Sequence, residues 1–272
     1  MPRLERGDGV ELHWEKRGEG PLVILAPYWS GHPGVFEDLL GDLARDHEVV
    51  TYDARGTGSS TGAGPYDMAT DCADLEAVID AMGSDAVLLA LADGANRTTR
   101  VGAARPDLVA AVITLGTPPL DRGALGGADG MIASDTVVEA FFDLLETDLR
   151  PAMRTVLRAN NPQMEEEELG ERVRFQVDYS PLEPTLARVR AWAQDDPLDA
   201  ARELGGRLWI LAAEDTGGPW LPPRADTERL IAKLLPDARV RRLEAGPLSR
   251  PDLTADMVRQ VRAELRSGRA RA

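Results

Sequence analysis

Apolar positions along this chain follow two alternating rhythms. Leu22 to Ala26, Glu48 to Tyr52, Ala86 to Leu91 and Ala110 to Leu115 are short runs rich in apolar residues, the pattern of strands buried on both faces. Val10 to Lys16 reads as an earlier strand, joined to the next by the turn-rich segment 17–21. Between these runs the apolar spacing becomes helical. Ala69 to Met82 carries Leu75, Val78, Ile79 and Met82 on one face and stops at Gly83, and Gly94 to Ala104 stops before Pro106. Arg207 to Ala213 and Ala238 to Leu243 supply two later strands, and Leu253 to Leu265 a closing helix. Alternation of this kind predicts an α/β fold, a mostly parallel central sheet with helices on both faces.

The rhythm breaks between about Pro119 and Gly205. Strand-like runs vanish there, and Val137 to Leu145, Arg150 to Ala159, Glu166 to Val177 and Leu186 to Trp192 all carry helical spacing. The predicted organisation is therefore a core made of residues 1–118 and 205–272, interrupted by a helical cap over residues 119–204. The acidic run Glu165 to Glu168 suits the opening turn of one cap helix, where carboxylates meet the positive end of the macrodipole.

Composition narrows the function classes. A net charge of −15 argues against nucleic acid or an anionic membrane surface as partner. No apolar run reaches the roughly 18 residues of a membrane span, and Met1 to Gly9 is polar, with no signal-peptide core. The single cysteine, Cys72, excludes an internal disulfide and makes a reducing cytoplasm the expected location; it is expected as a small residue on a half-buried helix. Scattered carboxylates and three distant histidines give no metal-ligand spacing, so neither a metal nor another cofactor is expected. A small molecule is the expected partner.

Four segments carry the candidate chemistry. Val50-Thr-Tyr-Asp-Ala-Arg-Gly-Thr-Gly-Ser-Ser60 is a strand followed by a glycine-rich turn, in which Asp53 and Arg55 can tie the loop by charge-assisted hydrogen bonds. Val87-Leu-Leu-Ala-Leu-Ala-Asp-Gly-Ala95 is a strand-to-helix turn. Leu208-Trp-Ile-Leu-Ala-Ala-Glu-Asp-Thr216 is a strand ending in acids, and Leu243-Glu-Ala-Gly-Pro-Leu-Ser-Arg-Pro-Asp252 a loop before the last helix. Together they resemble the α/β-hydrolase superfamily: the D-x-R-G-x-G-x-S turn, the nucleophile elbow, the strand of the catalytic acid and the histidine loop.

What that resemblance implies is a site with parts missing. Small residues flank the nucleophile by two positions on each side, which places Ala90 and Gly94 at the flanks and Ala92 at the nucleophile. Asp215 falls at the acid that orients a histidine, and Pro247 stands where the histidine would be. The oxyanion loop corresponds to Leu25-Ala-Pro-Tyr-Trp-Ser-Gly31, so the backbone N–H groups of Tyr28 and Asp93 are the expected donors. A degenerate triad, no ordinary serine-hydrolase activity, and a small organic molecule bound between cap and core is the first expectation. The alternative is a hydrolase or lyase with a rebuilt site that uses Asp93, Asp215 or His32. A one-residue slip would make Asp93 the nucleophile but would put bulky Leu91 at a flank; otherwise its carboxylate accepts bonds from nearby backbone or Arg97. His32 follows the oxyanion loop as a candidate base, or binds neighbouring carbonyls. Tyr28 and Trp29 either line the ligand pocket or pack the loop, and His13 and His47 are expected as ordinary surface or half-buried residues.

Overall fold

The computed structural model describes residues 2–7, 9–29, 31–120, 142–160, 163–213, 224–243 and 250–268. Eight strands form one sheet: β1 (Arg3–Glu5), β2 (Glu11–Arg17), β3 (Leu22–Leu25), β4 (Glu48–Tyr52), β5 (Ala86–Ala90), β6 (Val109–Leu115), β7 (Leu208–Ala213) and β8 (Arg239–Leu243). Their order across the sheet is β1-β2-β4-β3-β5-β6-β7-β8. β1, β2 and β4 pair antiparallel, and every pair from β4 to β8 is parallel. This is the mostly parallel α/β sheet that the alternating rhythm predicts.

Period-two alternation divides the core into two layers. Leu22, Ile24, Ala86 and Leu88 face one side, with Leu75, Val78 and Ile79 of α2 (Met68–Met82) and Val101 of α3 (Gly94–Ala104). Val23, Leu25, Val87 and Leu89 face the other, with Leu39, Leu40 and Leu43 of α1 (Glu37–Leu43) and Ala255, Val258 and Val261 of the closing helix Pro251–Arg266. Five residues, Ala86 to Ala90, are wholly buried because helices cover both faces of β5.

Between β6 and β7 the described chain is helical: α4 (Leu149–Asn160), α5 (Glu166–Tyr179), α6 (Leu182–Gln194) and α7 (Leu198–Leu204). Glu166, Glu167 and Glu168 occupy the first turn of α5, as the macrodipole argument expects. Leu145, Leu149, Met153, Leu169, Val173 and Val189 form a cluster of their own, separate from the two sheet layers. Helix α7 packs apart from that cluster: its Ala201 and Leu204 join the sheet layer of α2 and α3. After β7 comes α8 (Arg224–Leu234), and α9 is the closing helix Pro251–Arg266. Among the described residues no helix is long and apolar enough to cross a membrane.

Close approach of α3 to the sheet depends on Gly102. A Cβ there would meet Val112 Cγ2 at 2.6 Å and Leu204 Cδ2 at 3.2 Å. Alanine favours helix over glycine by about 1 kcal/mol, yet at this position the overpacking outweighs that gain. Gly102→Ala is expected to destabilise the fold by about 1–2 kcal/mol, read as a lower urea midpoint at unchanged slope.

Candidate functional site

Strand order reverses at β3. The chain leaves β3 for β4 on one side and returns to β5 on the other, so the loops at the carboxyl ends of β3 and β5 diverge from adjacent strands and open a crevice. The loop after β3 carries Tyr28, Trp29 and His32, and the turn between β5 and α3 carries Ala92 and Asp93.

Ala92 has φ 50°, in the left-handed region that a β-carbon disfavours. Hydrogen bonds close the turn around it, from Gly94 N–H to Leu91 O at 3.0 Å and from Ala95 N–H to Ala92 O at 3.0 Å. A Cβ on Gly94 would stand 3.1 Å from Pro27 O and 3.6 Å from Ala90 Cβ, so the two flanks meet across the turn. A methyl group is the whole side chain at its apex. Among the described residues neither the Tyr28 N–H nor the Asp93 N–H donates to a protein acceptor.

The Asp93 carboxylate is committed to structure. It is 1% exposed, accepts the Trp29 N–H at 2.7 Å and pairs with Arg97 at 3.0 Å. Arg97 also donates to Pro27 O at 2.5 Å and to Asp71 at 2.8 Å. From the insert, Arg188 of α6 reaches Asp71 at 2.9 Å and Arg55 O at 2.9 Å. The Arg55 guanidinium pairs with Asp74 of α2 through two bonds of 2.7 Å. Burial raises the Asp93 carboxyl above its ordinary range, with Arg97 and the Trp29 N–H opposing. Burial works the same way on Asp71, but there Arg97 and Arg188 prevail and hold it below the usual range.

The two aromatic residues of the β3 loop pack in different directions. Tyr28 sets its ring edge-on to Phe36 at 6.2 Å, in the layer of α1 and α9. Trp29 packs against the cluster of the insert. His32 caps a short 3-10 turn: its Nδ1 accepts the Gly34 N–H at 2.8 Å, and its ring lies 4.4 Å from Phe175 and 4.6 Å from Tyr179 of α5. With Nδ1 accepting, the neutral ring carries its proton on Nε2 and offers a donor there. Burial lowers its pKa below the ordinary histidine value. Asp215 and Pro247 lie outside the described residues.

His13 and His47 correct the expectation of surface or half-buried histidines: they are 6% and 4% exposed. His47 Nδ1 is bonded by Asp46 at 2.8 Å, and His13 Nδ1 by Asp53 at 3.1 Å. Asp53 further accepts the Tyr179 hydroxyl at 2.7 Å and the Ser59 N–H at 2.8 Å. These groups border a cavity of about 340 Å³ beneath α5, which His32, Phe175 and Asp178 also line. Neither Ala92 nor Asp93 borders it. The missing signal was strand pairing. Antiparallel β2 and β4 set Trp14 opposite Tyr52, which brings His13 beside the Asp53 that follows β4. Among the described residues no group of three or more His, Cys, Asp or Glu side chains could hold a metal ion.

Comparison with known proteins agrees with this architecture. A family model described as alpha/beta hydrolase fold matches residues 21–206. The chain is 27% identical over 231 residues to 2-(acetamidomethylene)succinate hydrolase of Mesorhizobium japonicum, covering 82% of this chain and 77% of that one. A stretch of 116 residues, 42% of this chain, is 34% identical to the polyketide synthase ThaQ of Burkholderia thailandensis, of which it spans only 6%. Among solved structures, an esterase (EaEST) from Exiguobacterium antarcticum superposes with a TM-score of 0.79 at 18% identity, covering 96% of this chain and 98% of that one.

Two outcomes follow from the local geometry. A left-handed alanine costs about 1–2 kcal/mol, partly offset in a glycine variant by the greater entropy of the unfolded chain. Ala92→Gly should therefore raise unfolding free energy by about 0.5 kcal/mol, whereas Ala95→Gly, at the second residue of α3, should lower it by about 0.5–1 kcal/mol. Opposite signs in urea unfolding are the check. For His32, the folded pKa lies below the unfolded value, so its contribution to stability is complete above the unfolded pKa and declines as pH falls toward the folded one. An NMR titration of the His32 ring should give a midpoint below the ordinary histidine value, with Gly34 amide exchange accelerating as the ring protonates.

Proposed function

This chain belongs to the α/β-hydrolase fold family, and from that premise we propose that it lacks the ordinary serine-hydrolase reaction and works by binding a small organic molecule between the helical insert and the core. The observation that carries this reading is Ala92: the left-handed turn after β5 is retained at φ 50°, and the group it presents is a methyl. A methyl has no lone pair to attack a carbonyl. In a serine hydrolase, losing the nucleophile or the histidine removes on the order of 10⁶ in turnover, and oxyanion and binding terms alone leave about 10³–10⁴ over water.

The rebuilt-site alternative has less support. Asp93 would have to leave Arg97 and the Trp29 N–H, and an attacking carboxylate held by both is a weakened nucleophile. For His32 to accept a proton at Nε2 it would have to surrender the Gly34 N–H. On this reading Asp215 is a residual structural carboxylate, Pro247 replaces the histidine, and the Tyr28 and Asp93 amides remain as a backbone pocket for a carbonyl or anion.

The test is kinetic and chemical. The parent protein should give no burst and no turnover above background with a p-nitrophenyl ester, and a serine-directed organophosphonate should leave it unlabelled. Ala92→Ser and Pro247→His should each do little alone, because a serine without a base stays protonated. The double variant should exceed the sum of the singles, since members of such a triad act as a unit. Turnover or covalent labelling of the parent would sink the reading and identify the nucleophile. A folded double variant no faster than the singles would remove the correspondence of positions 92 and 247.

A further inference from the structure

Two contacts of different chemistry hold α5 over the cavity. One does not titrate near neutral pH. Tyr179 donates its hydroxyl to Asp53 at 2.7 Å and accepts the Gly58 N–H on its carbonyl at 2.8 Å. Burial and Asp53 push the Tyr179 hydroxyl well above the ordinary phenol value, so it keeps its proton. A Cβ on Gly58 would lie 2.5 Å from the Tyr179 ring, so this end of α5 sits directly on the turn after β4.

The other contact depends on the charge of one ring. His32 lies 4.4 Å from Phe175 and 4.6 Å from Tyr179. Its Nδ1 accepts the Gly34 N–H at 2.8 Å, and that bond caps the 3-10 turn Pro33–Phe36. An imidazolium carries a proton on both nitrogens. A protonated Nδ1 would face the Gly34 N–H donor to donor, and turning the ring over would set a carbon at that same short distance. Neither arrangement fits, so a protonated ring has to leave the position from which it meets α5. The cavity of about 340 Å³ that it borders gives it room.

The groups that share this cavity are largely committed elsewhere. Asp53, after β4, already accepts from Tyr179, Ser59 and His13 of β2. Glu15 of β2 and Glu37 of α1 hold Arg17. On α5, Asp178 is exposed, and Arg172 and Arg174 pair with Glu168 and Glu171 of their own helix. Burial outweighs the attraction of Asp53 and Glu15 and keeps the His32 pKa below the ordinary histidine value. A ring held in its neutral form binds a proton better once released, so acid favours release.

We propose that His32 is a pH-sensitive latch between insert and core: the neutral ring holds α5 against the β3 loop, and protonation frees it, so that the Tyr179 contact opens more often in acid. The inference goes beyond the small-molecule reading and does not rest on a ligand.

Amide exchange followed by NMR between about pH 5 and 8, with intrinsic rates divided out, is the test. The Gly58 N–H reports the contact directly, because its acceptor is the Tyr179 carbonyl. Its protection should fall about fivefold as His32 protonates, the factor that a lost cap supports, with the same midpoint as the His32 ring. His32→Asn keeps an acceptor for the Gly34 N–H, as an Asx turn, and loses the titration. Gly58 protection in that variant should not change with pH. A parent in which Gly58 stays equally protected after His32 has titrated overturns the proposal. So does a fall that His32→Asn retains, which would assign the effect to the carboxylates around the cavity. Should His32→Asn misfold, the parent alone decides, since separate midpoints for Gly58 protection and for the His32 ring overturn the latch.

Discussion

One guanidinium organises this molecule. Arg97 leaves the first turns of α3, is 1% exposed, and bonds the carbonyl of Pro27, the carboxylate of Asp93 and the carboxylate of Asp71. Those three partners belong to the β3 loop, the turn after β5 and α2, which come together at the crevice. Asp71 then passes the connection to Arg188 of the insert, which also holds the Arg55 carbonyl. Removing one member of such a buried set typically costs about 3–5 kcal/mol, because the survivors keep their charge without water. The position of the turn relative to the insert is therefore set by charge pairing, while apolar packing sets the sheet layers.

That division explains how the strained turn is held with only a methyl as its side chain. Left-handed alanine is unfavourable by about 1–2 kcal/mol and survives only where its surroundings over-determine it. Here Arg97 and the Trp29 N–H fix Asp93 on one side, and on the other the turn closes by the Gly94 N–H on Leu91 O and the Ala95 N–H on Ala92 O. The geometry that an attacking side chain would need is thus a property of the supports, separable from the side chain itself. None of those supports passes through the side chain of position 92.

The sheet and the helix faces were legible in the sequence because burial on two faces and burial on one stripe write different periods. Ala86 to Leu91 and Gly94 to Ala104 were found within a residue for that reason. The position of Ala92 was legible as well, from the small residues Ala90 and Gly94 around it. What periodicity cannot express is which charged residue meets which. The Arg97–Asp93 pair was legible because the two stand four residues apart at a helix start, whereas Asp71 and Arg188 lie on two other helices with nothing in their spacing to mark them, yet all are buried. His13 was hidden in the same way, since its partner Asp53 is 40 residues away and depends on an antiparallel pairing at the sheet's edge.

The two ends of the insert are consequently attached by different physics. Arg188 joins α6 to the core through a charged network already satisfied at Asp71, and that contact has little room to change. α5 meets the core through Tyr179 on Asp53, the Gly58 N–H on Tyr179 O at 2.8 Å, and the His32 ring against Phe175 and Tyr179, with a cavity between them. The turn after β5 and the cavity beneath α5 are therefore different places, the first held by the Arg97 set and the second bordered by groups outside it.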